Sequence, residues 1–130
     1  MNDRKEKYSK SYLSKQQKEI LKTVCDKWTN NPTEPTDSKT VSWDIARMFN
    51  TEQGNRITKN KNEEEILSKA HNASMSRSLK KLRERDLVES ENLFGKGKIA
   101  LSEEGKSWCE INIDGFKEKR ERMRTEKIKN

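Results

Sequence analysis

Between Met75 and Leu101 the apolar residues change their spacing from helical to alternating, and this change limits the folds open to the chain more than any other feature. Met75, Leu79 and Leu82 recur at i, i+4 and i+7, the mark of a helix with one buried face. Leu87-Val88 then opens an extended run, Gly95-Lys96-Gly97 supplies a turn signal, and Lys98 to Leu101 returns, which predicts a β-hairpin of about fifteen residues. Ile99 and Leu101 fall on one face of the returning strand, Lys98 and Ala100 on the other. Ser102 has the position of a helix cap, with Glu103 and Glu104 in the first turn and Trp108, Cys109 and Ile111 as apolar anchors. The expected class is mainly α with a small β-hairpin, an α+β fold.

Upstream, residues 1–12 carry Arg4, Lys5, Lys7 and Lys10 with little apolar content and read as a disordered basic arm. Ser14-x-x-Gln17 has capping-box spacing, and Ile20, Leu21, Val24, Cys25 and Trp28 follow on one face, predicting a helix over 15–29. Asn30 to Lys39 reads as a surface loop, Thr40-Val41 as a very short strand, and Ser42 as the cap of a second helix carrying Ile45, Ala46 and Phe49, with Trp43 and Met48 beside them. Residues 50–62, with Arg56, Lys59 and Lys61, read as a mobile basic loop. Glu63 to Glu65 suit the positive end of a helix dipole, so a third short helix with Ile66, Leu67 and Ala70 is expected, with a break at Asn72 and a fourth helix over 73–85. A single helix over 63–85 also keeps roughly helical register. The charged tail, 114–130, reads as helical or disordered beyond a domain spanning 13–113, with dimerisation through Phe116 and Met123 as a minor option.

Composition narrows the function. Basic residues outnumber acidic ones 29 to 22, a net charge of +7, and apolar residues are only 28% of the chain. That balance favours a polyanion as partner and leaves part of the chain without enough apolar surface to order. Apolar runs of two or three residues exclude a membrane span or secretory leader, so a cytoplasmic protein without membrane contact is expected. Cys25 and Cys109, with no Cys-x-x-Cys pair, read as small apolar residues of a reducing compartment, and the lone His71 as a surface residue rather than a ligand. No phosphate loop, dinucleotide fingerprint or nucleophile motif occurs, so neither catalysis nor a metal or cofactor is expected. Trp28, Trp43 and Trp108 sit at apolar helix positions and read as core.

The run Ser74-Met75-Ser76-Arg77-Ser78-Leu79-Lys80-Lys81-Leu82-Arg83-Glu84-Arg85-Asp86-Leu87-Val88, followed by Ile99-Ala100-Leu101-Ser102-Glu103-Glu104-Gly105, resembles the recognition helix, wing and closing-helix start of prokaryotic winged helix-turn-helix regulators, archaeal ones above all. Tyr12 to Gln17 and Val41-Ser42-Trp43 are similar to their first and second helix starts. The resemblance implies a winged helix-turn-helix with a basic arm and a charged C-terminal extension. It also implies glycine where Asp86 stands, in a left-handed conformation that aspartate adopts less readily. The long segment from Asn50 to Asn72 departs from a compact helix-turn-helix.

With Met75, Leu79 and Leu82 inward, a turn of about 100° per residue puts Arg77, Lys80 and Lys81 outward, with Ser74 and Ser76 on the flanks. Arg77 has the fork for a bidentate contact to guanine, while Lys80 and Lys81 suit phosphates. Lys96 and Lys98 on the wing, about 91–98, suit minor groove or backbone; Lys15, Gln16, Lys59 and Lys61 are further expected contacts. Phe94 at the wing tip either touches the partner or folds back. The function expected is sequence-specific binding of double-stranded DNA by a transcriptional regulator. The alternatives are an RNA- or ribosome-associated winged helix and a winged helix used for protein interaction.

Overall fold

Ser14 opens the first helix through a reciprocal capping box. Its Oγ accepts from the Gln17 N–H at 3.1 Å, and Gln17 Oε1 accepts from the Ser14 N–H at 3.0 Å. The helix, α1 (Lys15–Asn30), buries Ile20, Leu21, Val24 and Cys25, the stripe its sequence marks out. The structure, a computed structural model, describes residues 13–30, 35–50, 55–89 and 97–129; the arm and the wing residues Phe94 and Lys96 lie outside them.

The next elements depart from the expected boundaries. The short strand is β1 (Thr36–Asp37), not Thr40-Val41, and Asp37 rather than Ser42 caps α2 (Ser38–Phe49). The Asp37 carboxylate accepts from the Thr40 N–H at 3.3 Å and its hydroxyl at 3.1 Å, so the helix starts early enough to put Val41 in the core. In place of a basic loop and a third helix stands an antiparallel ribbon, β2 (Ile57–Lys59) with β3 (Glu65–Leu67). Asn60 closes its tip: Oδ1 accepts from the Asn62 N–H at 2.8 Å and the Glu64 N–H at 3.0 Å, and Glu63 takes a left-handed φ of 62°. This local turn prevails over the favourable dipole position of the three glutamates.

Ser68, not Asn72, caps α3 (Lys69–Glu84) by accepting from the His71 N–H at 3.1 Å. The helix therefore has neither a break at 72 nor a start at 63. Its C-terminus is a Schellman turn: Leu87 N–H donates to the Leu82 carbonyl and Asp86 N–H to the Arg83 carbonyl, both at 3.0 Å, with Asp86 at φ 59°.

After α3 the chain extends, with Val88 bridging Leu101 antiparallel. β4 (Lys98–Ile99) pairs with β1, Thr36 opposite Ile99 and Asp37 opposite Lys98. The Gly97 carbonyl accepts from Ser38, whereas the Ala100 carbonyl accepts from Glu89. Odd and even positions face opposite sides of a strand, so segment 98–101 lies between 36–37 and 88. Ser102 then caps α4 (Glu103–Asn112), its Oγ accepting from the Gly105 N–H at 2.9 Å and donating to the Asp86 carbonyl.

The last helix is α5 (Phe116–Lys129). Phe116 is 2% exposed and meets Trp28 with ring centroids 5.6 Å apart, so it serves the chain's own core and not a dimer contact. Arg120 ties α5 to α4 through Glu103 at 2.6 Å and Glu110 at 2.8 Å. Cys25 and Cys109 are joined as a disulfide between α1 and α4, with Cα atoms 6.6 Å apart, correcting the expectation of two independent thiols. Their separation of 84 positions hides a proximity that packing of the two helices creates. Of the tryptophans only Trp108 is buried; Trp28 is partly covered and Trp43 stacks under Arg47 at 5.3 Å. Ile111, expected as an anchor, is 75% exposed because α4 packs through Trp108 and Cys109 on the other side. The whole is mainly helical with small two-stranded pairings, an α+β fold.

Candidate nucleic-acid interface

The helix that would meet a partner is fixed in phase by its own apolar stripe. α3 buries Met75, Leu79 and Leu82, as the spacing requires, and adds His71 and Ser78 to the inner face. Ser76, Arg77, Lys80 and Lys81 are exposed, as are Lys69, Asn72, Ala73 and Glu84, so the outward side of the helix carries four basic residues and one acidic one, with the basic ones densest in its second half. Lys81 faces Glu84 at 3.9 Å, a solvent-exposed pair of small energetic weight, which still moderates the charge at that end. Starting the helix at Lys69 rather than 73 brings Lys69 and Asn72 into the N-terminal turns. Both stand before the helix start expected from the sequence, Asn72 as its break, because the Ser68 cap lies four residues upstream of that point.

Ser74 and Gln16 do not join this surface. Gln16 is 8% exposed and lies against α3, with Nε2 donating to Ser74 Oγ and Ser78 Oγ at 2.9 Å each. Gln16 Oε1 accepts from Arg56 Nη1 at 2.5 Å, and Arg56 Nη1 also reaches His71 Nδ1 at 3.2 Å. Since a guanidinium only donates, Nδ1 is the acceptor, and Nε2–H donates to the Ser42 carbonyl at 2.8 Å. The ring is thus held neutral in one tautomer. Burial is the main cause that lowers the His71 pKa from its usual 6.5; the Arg56 charge adds to it and the Ser42 hydrogen bond opposes it. His71 is accordingly an interior residue at 2% exposure, not the surface residue expected. Its partners are 15 and 29 positions away, beyond any local pattern.

Arg56, expected in a mobile loop, is 8% exposed, lies 5.2 Å over the Phe49 ring, and has its pKa lowered by burial. Asn50 Oδ1 accepts from the Arg56 and Ile57 N–H groups at 2.7 and 3.1 Å, and the Arg56 carbonyl accepts from the Ser68 N–H at 2.9 Å. These bonds root the ribbon directly beneath the start of α3.

The remaining expected contacts are scattered. Lys59 and Lys61 are exposed on the ribbon, where Lys59 stands opposite Glu65 and Glu63 and Glu64 follow, so the ribbon is not a cationic element. Lys15 is exposed at the start of α1, with Nζ 5.5 Å from the Phe49 ring centre. Lys98 is exposed on β4, across from Asp37; Lys96 lies outside the described residues. Among the described residues no group of three or more His, Cys, Asp or Glu side chains is placed to hold a metal ion, and no helix is long and apolar enough to cross a membrane. No family model matches the sequence, and neither a curated protein nor a solved structure matches it.

Proposed function

We propose that the chain is a winged helix-turn-helix protein that binds double-stranded DNA sequence-specifically as a transcriptional regulator, with α3 in the major groove and the finger between Val88 and Leu101 against backbone or minor groove. One observation carries the reading: the excess of basic residues on the outward face of α3, where Lys69, Arg77, Lys80 and Lys81 are turned to solvent with Glu84 the single acidic residue beside them, on a helix whose other side is anchored in the core. The element order supports it. Helix, short strand, helix, ribbon and helix are followed by segment 98–101, which lies between the first strand and Val88, an order compatible with a winged helix in which the ribbon takes the place of a short turn.

In this reading phosphate neutralisation supplies affinity and Arg77, near the middle of the outward face, supplies base selectivity. Selection of bound duplexes from a random pool at two salt concentrations tests it. An enriched motif is the expected result, and a steep salt dependence without enrichment overturns it. At the enriched site Arg77→Ala is expected to lose ~1–3 kcal/mol and relax one base position, whereas Lys80→Ala weakens all sequences alike.

A further inference from the structure

We propose that Gln16 is the positioning residue that sets the rotation of α3 about its own axis, and through it the set of side chains offered to DNA; the inference rests on the reading of α3 as the DNA-facing helix. Met75, Leu79 and Leu82 decide which side of α3 faces the core, but their contacts are non-directional and set the exact azimuth within that side less tightly. The Gln16 amide is directional. Its nitrogen has two hydrogens, and Ser74 Oγ and Ser78 Oγ, one turn apart on α3, take one each at 2.9 Å.

The amide has one usable orientation. Arg56 can only donate, so Oε1 must face the guanidinium and the NH2 group must face the serines. With side-chain atoms about 5–6 Å from the helix axis, a 20° rotation of α3 moves the serine oxygens by about 2 Å, enough to break both bonds. The clamp therefore selects one azimuth, with Ser74 and Ser78 inward and Ala73, Arg77 and Lys80 at the centre of the outward face. Arg56 enters from the root of the ribbon, so ribbon and α1 together index α3.

The test uses the full chain with two kinds of variant. Gln16→Met keeps the length and removes every hydrogen bond; Ser74→Ala/Ser78→Ala removes the acceptors and leaves Gln16 with Arg56. Gln16→Glu is the conservative control, because its carboxylate accepts from Arg56 and from both hydroxyls. Residual dipolar couplings of backbone amides in α3 relative to α1 read the azimuth without DNA. The ratio of affinities for the selected and a scrambled duplex reads the consequence. Both disrupting variants are expected to change the α3 couplings and to lower the ratio about tenfold, the scrambled duplex being bound as before, while Gln16→Glu stays near wild type. Couplings unchanged in both disrupting variants, or changed with the ratio intact, overturn the inference. Should the wild-type chain prefer no duplex, the DNA reading falls, and the couplings alone decide the clamp.

Discussion

Replacing Gly105 with alanine sets two forces against each other. Alanine is the better helix former by about 1 kcal/mol, so on propensity alone the change in α4 stabilises. In the fold, a Cβ at position 105 lies 2.0 Å from the Leu87 carbonyl oxygen and 3.1 Å from Leu101 Cδ2. The oxygen is backbone and already accepts from the Ser102 N–H at 3.3 Å, so it cannot swing aside. Reaching an ordinary contact of 3.4 Å requires α4 to retreat by roughly 1.4 Å, in a core packed too closely to follow. That retreat pulls on the Ser102 cap, which bonds both Gly105 and Asp86. Overpacking near the upper end of ~1–3 kcal/mol, plus ~1 for the weakened cap, less ~1 gained in propensity, gives a net loss of about 3 kcal/mol. Urea unfolding should show it as a midpoint about 2 M lower at unchanged slope, taking a slope of ~1.5 kcal/mol/M. Gly115→Ala is the control: its Cβ meets nothing within 4 Å, so only the φ of +82° acts, at ~1–2 kcal/mol. A Gly105→Ala midpoint at or above wild type, or a drop no larger than that of Gly115→Ala, refutes the steric account.

Asp86→Gly should act in the other direction: glycine fits φ 59° without strain, and the change is expected to raise stability by up to ~1 kcal/mol in the same unfolding assay. Reduction of the Cys25–Cys109 disulfide, which closes a loop of 84 positions, should lower stability by about 2–4 kcal/mol, read as a fall in the urea midpoint on adding a dithiol; an unmoved midpoint contradicts it. The folded-state pKa of His71 is depressed, so the unfolded chain takes up the proton first: its contribution is whole above pH 6.5 and is lost as pH falls below it, with a slope of at most ~1.4 kcal/mol per pH unit. Between pH 6.5 and 4.5 that slope should flatten in His71→Gln. Below 4.5 Glu103, its carboxyl lowered chiefly by the Lys106 hydrogen bond and charge, adds a loss of its own.

Features written in short stretches of sequence were legible, and those made by distant partners were not. Ser14 with Gln17, and Ser102 with Gly105, are complete within four residues, and both caps form as read. The outward face of α3 was legible although its start was misplaced by four residues, because Met75, Leu79 and Leu82 fix the phase of a helix wherever it begins. The start itself depends on tertiary structure: the Arg56 carbonyl holds the Ser68 N–H, keeping the chain extended through Leu67. Gln16 carried a signal that was passed over. It stands four positions before Ile20 and eight before Val24, in register with the buried stripe of α1, and helical spacing alone assigns it to the interior. Nothing near His71 or Arg56 in sequence marks them as partners.

The placement of the buried polar groups bears on why the fold retains them. Burying hydrogen-bonded polar residues is a weak source of stability, and replacing them with apolar ones of similar volume often stabilises. Gln16, Arg56, His71 and Ser78 account for four of the five buried polar residues described, and all four meet under α3. The fifth, Arg120, bonds two carboxylates of α4 and holds α5 in place. Apolar side chains beneath α3 would hold the helix as firmly but tolerate a range of rotations, since hydrophobic contact has no preferred direction. Hydrogen bonds as directional as those from Gln16 and Arg56 tolerate few, because a shifted helix breaks them and leaves buried groups unpaired. Directional bonds are therefore concentrated under α3, the helix proposed to face DNA.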